Sequence, residues 1–197
     1  MKIGILGGTF DPPHRGHLQL AVASADQLML DEVLLIPANR NPLKSKGEAG
    51  ATAKQRLAMT GLLVQEDPRF AVSDLELTRG GVSFMVETLF ELQMAQPAEY
   101  WLILGADSLR TFPEWKSPNR ILKMCRLAAA VRLPLSVEDA LNRIPDDIRP
   151  FVDPVEMVPS EISSTEVRDR LVRNKPLADV LTPNVLKYIR DNGLYRS

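Results

Sequence analysis

Short apolar runs alternate with stretches of helical spacing from residue 2 to residue 158, and no other feature constrains the fold of this chain as strongly. The runs at 2–6, 33–36, 70–72, 100–104, 127–131 and 155–158 are three to five residues long and, Lys2 and Glu156 apart, apolar on both faces. Strands covered on both sides of a parallel sheet read this way. Helices are predicted at about 14–30, where Leu18, Val22, Leu28 and Met29 carry the spacing, at about 52–66, at 83–94, briefly after Pro118, and near 164–173 and 183–192. Thr52 and Gln55 read as a capping box for the second of these. The alternation defines an α/β chain with an open parallel sheet. The last two helices make a small C-terminal helical part over about 160–197, and the whole chain, 1–197, is read as a single domain.

Ligands of an open parallel sheet sit beyond the carboxyl ends of its strands. Four features occupy such ends: Gly7-Gly8-Thr9-Phe10, the loop after Pro37, Gly105-Ala106-Asp107, and the segment after Val158. They are expected to converge on one cleft. The loop at 38–51, rich in Asn, Pro, Gly and Lys, reads as a mobile segment that closes over a ligand.

Composition excludes several classes. No apolar run approaches the roughly 20 residues of a membrane helix, and the N-terminus lacks the long apolar region of a signal peptide. The single cysteine, Cys125, excludes an internal disulfide framework, so a cytoplasmic location is expected. Lys and Arg number 24 against 25 Asp and Glu, a net charge of -1, which argues against a broad nucleic-acid surface but leaves room for a small cationic pocket.

The densest chemistry lies in Gly7-Gly8-Thr9-Phe10-Asp11-Pro12-Pro13-His14-Arg15-Gly16-His17, which runs from a strand into a helix. Glycines let backbone N–H groups approach an anion, and the helix N-terminus adds partial positive charge. His14 and His17, three apart, share one face of the first turn, and Gly16 removes a side chain between them. No Gly-Lys-Ser/Thr follows, so this is a phosphate site without a P-loop lysine. A structural His pair, or a metal pair completed by Asp11, remains the alternative for the two histidines alone. A second candidate phosphate element is Ile162-Ser163-Ser164-Thr165-Glu166-Val167-Arg168. Ser163 and Glu166 form a capping box there, while three consecutive hydroxyls and an arginine one turn on also suit a triphosphate.

The glycine–histidine block resembles the signature of the nucleotidyltransferase superfamily. Further segments narrow the resemblance to the bacterial nicotinate-nucleotide adenylyltransferase family. They are Pro37-x-x-x-x-Pro42-x-Lys44, Arg79-Gly80-Gly81-x-Ser83, Gly105-Ala106-Asp107-Ser108-Leu109 with Trp115, Ile162-Ser163-Ser164-Thr165-x-x-Arg168, Tyr188-Ile189 and Leu194-Tyr195. They cover essentially the whole chain in the family's order. The resemblance implies a Rossmann-like nucleotidyltransferase fold and transfer of the adenylyl group of ATP to nicotinate mononucleotide, giving deamido-NAD and pyrophosphate.

By the same resemblance His14, His17, Lys44 and Arg168 are the catalytic set. Gly7, Gly8, Thr9, Phe10, Gly16, Gly105, Asp107, Arg132, Ile162, Ser163, Ser164 and Thr165 would hold ATP, Arg132 near the adenine and Arg168 on the β- or γ-phosphate. Asn39, Ser83, Met85, Trp115 and Lys116 would hold the mononucleotide, with Trp115 stacked on the pyridine ring. Asp107 also reads as a helix N-cap. Mg²⁺ is expected on the ATP phosphates, with no protein metal site. The expected partners are these small molecules, with no nucleic-acid polymer and no membrane; the oligomeric state is not readable. Two departures stand out: Asn41-Pro42-Leu43-Lys44 where family loops often read Pro-Pro-His-Lys, and Met85 where the family has a threonine beside the nicotinate carboxylate. Nicotinamide mononucleotide as substrate, dual specificity, and a non-catalytic dinucleotide-binding module are the alternatives.

Overall fold

The computed structural model describes residues 1–42, 50–132, 144–157 and 162–196. Six strands form one sheet: β1 (Lys2–Gly8), β2 (Glu32–Pro37), β3 (Phe70–Val72), β4 (Glu99–Leu104), β5 (Cys125–Arg132) and β6 (Val152–Met157), in the order β3-β2-β1-β4-β5-β6. Neighbouring strands run parallel, with Lys2 opposite Glu99, Ile5 opposite Leu102, Leu104 opposite Ala129 and Arg132 opposite Met157. The expected parallel α/β sheet is therefore present. Its order reverses between β1 and β4, the kind of position at which open α/β sheets bind ligands. Among the described residues no helix is long and apolar enough to cross a membrane.

The chain divides into two compact units. The first comprises Met1–Leu6, Leu20–Leu34 and Phe84–Pro159. Its core is the sheet itself: Ile3, Ile5, Leu102, Ile103, Leu127 and Ala128 are at most 1% exposed. Residues 100–104 of β4 are buried without alternation, which explains why the sequence signal there is an unbroken apolar run. At the β5–β6 edge the Arg126 guanidinium grips both oxygens of Asp153, which also accepts from Trp101 Nε1 at 2.8 Å.

Helix α1 (Arg15–Leu28) corrects one expectation. Its buried stripe is Leu20, Ala21, Ser24 and Ala25, whereas Leu18, Val22 and Leu28 are half-buried and Met29 is 73% exposed. Small residues carry the close packing, so the large apolar positions mislead about the face. Met29 adopts φ 52°, and this left-handed residue ends the helix.

The second unit comprises Gly7–Gln19, Leu35–Ser83 and Ser160–Ser197. Helix α2 (Ala53–Val64) starts at the expected reciprocal box: Thr52 N–H donates to Gln55 Oε1 at 2.9 Å and Gln55 N–H to Thr52 Oγ1 at 3.3 Å. A short helix the periodicity does not reveal, α3 (Leu75–Arg79), follows β3 and stops at Gly80 and Gly81, both at positive φ. Five residues are too few to show a 3.6 period. Helices α4 (Met85–Ala95), α5 (Ala106–Thr111) and α6 (Pro118–Leu122) belong to the first unit. In the second, α7 (Ser164–Val172) and α8 (Pro183–Asp191) form the helical C-terminal part, and α8 buries Val185 and Ile189, one turn apart.

The C-terminal part is fastened to the start of α1. Arg15 N–H donates to Val180 O at 2.9 Å, and Arg15 Nε lies 3.1 Å from both Ala178 O and Leu181 O. The first N–H groups of a helix lack intrahelical acceptors, so residues 178–181 supply one from outside.

Candidate active site

The glycine–histidine block occupies the end of β1 and the start of α1. Gly7 is exposed and Gly8 and Thr9 half-buried, while Phe10 through His14 are all buried. Phe10 is 1% exposed and holds φ 52°, a backbone state that costs a non-glycine residue on the order of 1–3 kcal/mol. Its ring meets the His17 imidazole edge-on, centroids 4.9 Å apart. The His14 and His17 rings lie 3.7 Å apart and 33° from parallel, on one face as the spacing required.

His14 N–H donates to Nδ1 of His17 at 3.2 Å. With Nδ1 accepting, the tautomer that this contact favours carries its proton on Nε2. His14 itself is 6% exposed, and burial lowers its pKa to about 4. It is neutral at pH 7, and its Nδ1 has no hydrogen-bond partner among the described residues.

Helix α7 brings the second phosphate element into the same unit. Ser163 caps it by accepting from Glu166 N–H at 3.1 Å. The expected reciprocal half of the box gives way to a stronger, charge-assisted pair: the Glu166 carboxylate accepts from Arg170 at 2.6 Å. Ser164 Oγ donates to Pro12 O at 2.9 Å, tying the helix start to the block. Arg168 Nη1 donates to Asp11 O at 2.7 Å and Nη2 to Thr165 Oγ1 at 3.4 Å. Ile162 is half-buried and Thr165 exposed.

Sequence reasoning missed Arg56. This side chain is 3% exposed on α2, donates to Thr9 O at 2.7 Å and reaches Asn39 O at 3.5 Å. Burial lowers its pKa, while the charge of Asp11 pulls the other way. The signal was available: position 56 lies on the buried stripe with Met59, Thr60 and Leu63, and a charge on such a stripe requires partners. Asn39 N–H donates to Ser83 Oγ at 2.9 Å and Asn39 Nδ2 to Gly81 O at 2.8 Å, so these two expected mononucleotide residues are in direct contact.

The other expected residues stand in the first unit. Gly105, not Asp107, is the N-cap position of α5; Asp107 is exposed and pairs with Arg110 at 3.3 Å, which corrects the capping expectation. Trp115 packs against Phe112 with centroids 5.6 Å apart, and its Nε1 is buried without a partner among the described residues. Lys116 Nζ pairs with Glu87 at 2.7 Å and lies 4.1 Å over the Phe84 ring. Met85 is half-buried at the first position of α4. Lys44, and residues 43–49 of the loop expected to close, lie outside the described residues, and so does the Arg132 side chain.

Among the described residues no three His, Cys, Asp or Glu side chains gather as metal ligands. Asp11, the carboxylate nearest the histidines in sequence, accepts at both oxygens from Gly50 N–H, Ala51 N–H and Tyr195 Oη. These donors take both acceptor sites of Oδ1 and one of Oδ2.

A strand-order reversal, a glycine-flanked helix start bearing two histidines, and a second helix start with an arginine define a nucleotidyltransferase. The cytidylyltransferase-like family model matches residues 5–170. A protein of Chromobacterium violaceum named "probable nicotinate-nucleotide adenylyltransferase" is 38% identical, over 99% of each chain. One of the same name from Neisseria meningitidis serogroup C is 36% identical over 98% of each. The chain belongs to the nicotinate-nucleotide adenylyltransferase family. Its fold matches the Plasmodium falciparum nicotinic acid mononucleotide adenylyltransferase complexed with NaAD, with TM-score 0.78, 18% identity, and coverage of 98% of this chain and 97% of that one.

Proposed function

We propose that the protein joins the adenylyl group of ATP to nicotinate mononucleotide, forming deamido-NAD and releasing pyrophosphate, with residues 1–197 acting as one nucleotidyltransferase domain. The observation that supports this most directly is the His14–His17 pair, with His17 Nδ1 accepting from His14 N–H and leaving Nε2 as the donor, in the same unit as Arg168. An anion-binding helix start that offers a neutral donor and a nearby guanidinium suits a reaction in which charge builds on phosphoryl oxygens.

The nucleophile is the 5′-phosphate of the mononucleotide, already ionised at pH 7. One of its oxygens attacks the α-phosphorus of ATP, a P–O bond forms, and the bond to the β-phosphate breaks as pyrophosphate leaves with the electron pair. No proton has to be removed from the nucleophile, so the protein's task is alignment and charge stabilisation. In this reading His17 Nε2 donates to an α-phosphoryl oxygen, and His14, neutral beside it, supports the same group. Arg168 and Lys44 attract the β- and γ-phosphates, and Ser163, Ser164 and Thr165 hold them with hydroxyl and N–H donors. Gly7, Gly8, Thr9, Phe10 and Gly16 give the backbone close approach. Gly105, Asp107 and Arg132 serve the adenosine. Asn39, Ser83, Met85, Trp115 and Lys116 serve the mononucleotide. Mg²⁺ would be held by phosphate oxygens and water, and would supply charge neutralisation on the polyphosphate.

Pyrophosphate release with ATP and nicotinate mononucleotide tests the reading, with nicotinamide mononucleotide as the parallel arm. Binding of both nucleotides without release would instead make the chain a dinucleotide-binding module.

A further inference from the structure

Asp11 and Tyr195 are 184 positions apart in sequence, and the sequence motifs give neither side chain a task in the reaction. Both are buried, at 1% and 9% exposure. The Tyr195 hydroxyl donates to Asp11 Oδ1 at 2.6 Å. The same carboxylate accepts from Gly50 N–H at 2.7 Å through Oδ2 and from Ala51 N–H at 3.0 Å through Oδ1. One buried carboxylate thus gathers the histidine block, the residues just before the α2 cap, and the C-terminal segment. All three lie in the second unit.

The packing is as particular as the hydrogen bonds. A Cβ added at Gly50 would lie 2.8 Å from Cε1 and 2.9 Å from Cδ1 of Tyr195, closer than real Cβ contacts come. Only a residue without a side chain lets the phenol ring lie across this backbone while its hydroxyl reaches Asp11. Burial and the Asp11 charge both push the Tyr195 pKa upward, so the hydroxyl keeps the proton it donates.

Arg168 connects this contact to the chemistry. Its Nη1 donates to the main-chain oxygen of Asp11 at 2.7 Å and lies 4.0 Å from Asp11 Oδ2. The Arg168 side chain is 26% exposed, and these contacts and Thr165 Oγ1 are where its guanidinium is held. The group that holds Asp11 in place therefore also sets where the Arg168 guanidinium points. Arg56 adds charge to the same carboxylate from the α2 side.

We propose that Asp11 and Tyr195 are positioning residues: the Tyr195–Asp11–Gly50/Ala51 latch fixes Arg168 at the polyphosphate end of the ATP site. The inference rests on the adenylyl-transfer reading for the role of Arg168. The latch acts through Arg168 and touches no reacting atom itself. Its loss should therefore weaken the hold on ATP selectively and leave the mononucleotide alone.

The test is Tyr195→Phe, which removes one oxygen, and Gly50→Ala, which pushes the ring off its seat while keeping the hydroxyl. Each should raise KM for ATP roughly tenfold, the scale of one hydrogen bond to a charged group. KM for nicotinate mononucleotide should stay within about twofold. Because both act on one contact, the double variant should be no worse than the more impaired single one, not the product of the two. A general loss of folding would lower the active fraction and kcat with both KM values unchanged, and that result overturns the proposal. Unchanged ATP parameters in both variants, or effects that multiply, also overturn it. Should Tyr195→Phe not fold, Gly50→Ala carries the comparison alone. Calorimetric titration with ATP and no second substrate separates the two levels of inference. If the unaltered protein binds ATP without making dinucleotide, the reaction assignment fails, while weaker ATP binding by the variants still supports the latch.

Discussion

The main-chain N–H of His14 donates to Nδ1 of His17, so the second histidine is oriented by the backbone of the first. Protonation of His17 at Nδ1 would break this contact, and replacing the ring removes a donor aimed by the fold itself. His17→Ala is expected to slow pyrophosphate release by at least ~100-fold, the scale of one preorganised donor. The thermal midpoint should change little, since the His17 ring is only half-buried. Near-normal turnover in a folded variant would remove His17 from the mechanism.

His14 makes stability pH-dependent with a defined sign. Its folded pKa of about 4 lies below the ordinary 6.5, so between these values the unfolded chain binds a proton that the folded protein excludes. Its contribution is complete above pH 6.5 and declines as the pH falls toward 4, by up to about 3 kcal/mol. Denaturant titrations from pH 7 to pH 4 should show this loss, and His14→Asn should flatten it. Parallel slopes for the two proteins would mean that His14 is not the group responsible.

Arg56 is a buried cation with specific acceptors, and removing it strands the Thr9 and Asn39 carbonyls and takes away a positive charge near Asp11. Arg56→Ala is expected to cost about 3–5 kcal/mol of unfolding free energy, as for breaking a buried charged cluster. Arg56→Lys should recover only part, because one ammonium cannot span two carbonyls in a fixed fork. Chemical denaturation of the two variants measures the difference; equal stability of all three proteins would contradict it.

With Trp115 stacked on the pyridine ring as proposed, the acid–amide choice would turn on donors near it. Lys116 carries its ammonium beside Glu87, and Met85 offers no side-chain hydroxyl where the family has one. Main-chain donors do not depend on the side chain, so the acid substrate is expected to be preferred by roughly ten- to a hundredfold in kcat/KM. Parallel rates on nicotinate and nicotinamide mononucleotide decide it. Equal rates would make Met85 a specificity change.

Cys125 should be chemically silent. Burial pushes its thiol up to about 12, and its Sγ sits 3.5 Å from Ile121 O. Alkylation at pH 8 is expected only after unfolding, which mass analysis with and without denaturant would reveal; rapid labelling of the native protein would refute the burial argument.

The centre of the sheet was legible because β4 is buried on both faces: the unbroken apolar run at 100–104 needs no register to be recognised. The Thr52–Gln55 box was legible because capping is local chemistry. What escaped was set by tertiary partners. The Glu166 carboxylate turned from Ser163 to Arg170 because a cation was in reach. The buried face of α1 follows Ala21, Ser24 and Ala25, whose small size no hydrophobic pattern favours. Arg56 was overlooked because its acceptors are main-chain oxygens, which sequence does not display.

The fastening of Arg15 to residues 178–181 bears on how the protein is made. The histidine helix emerges early from the ribosome, but the carbonyls that complete its first turn are translated more than 160 positions later. At roughly 5–20 residues per second, about ten to thirty seconds separate the two events. During that interval the nascent chain carries the glycine–histidine block without these contacts. A chain broken off before residue 178 would carry the histidine helix without the carbonyls that accept from Arg15 in its first turn.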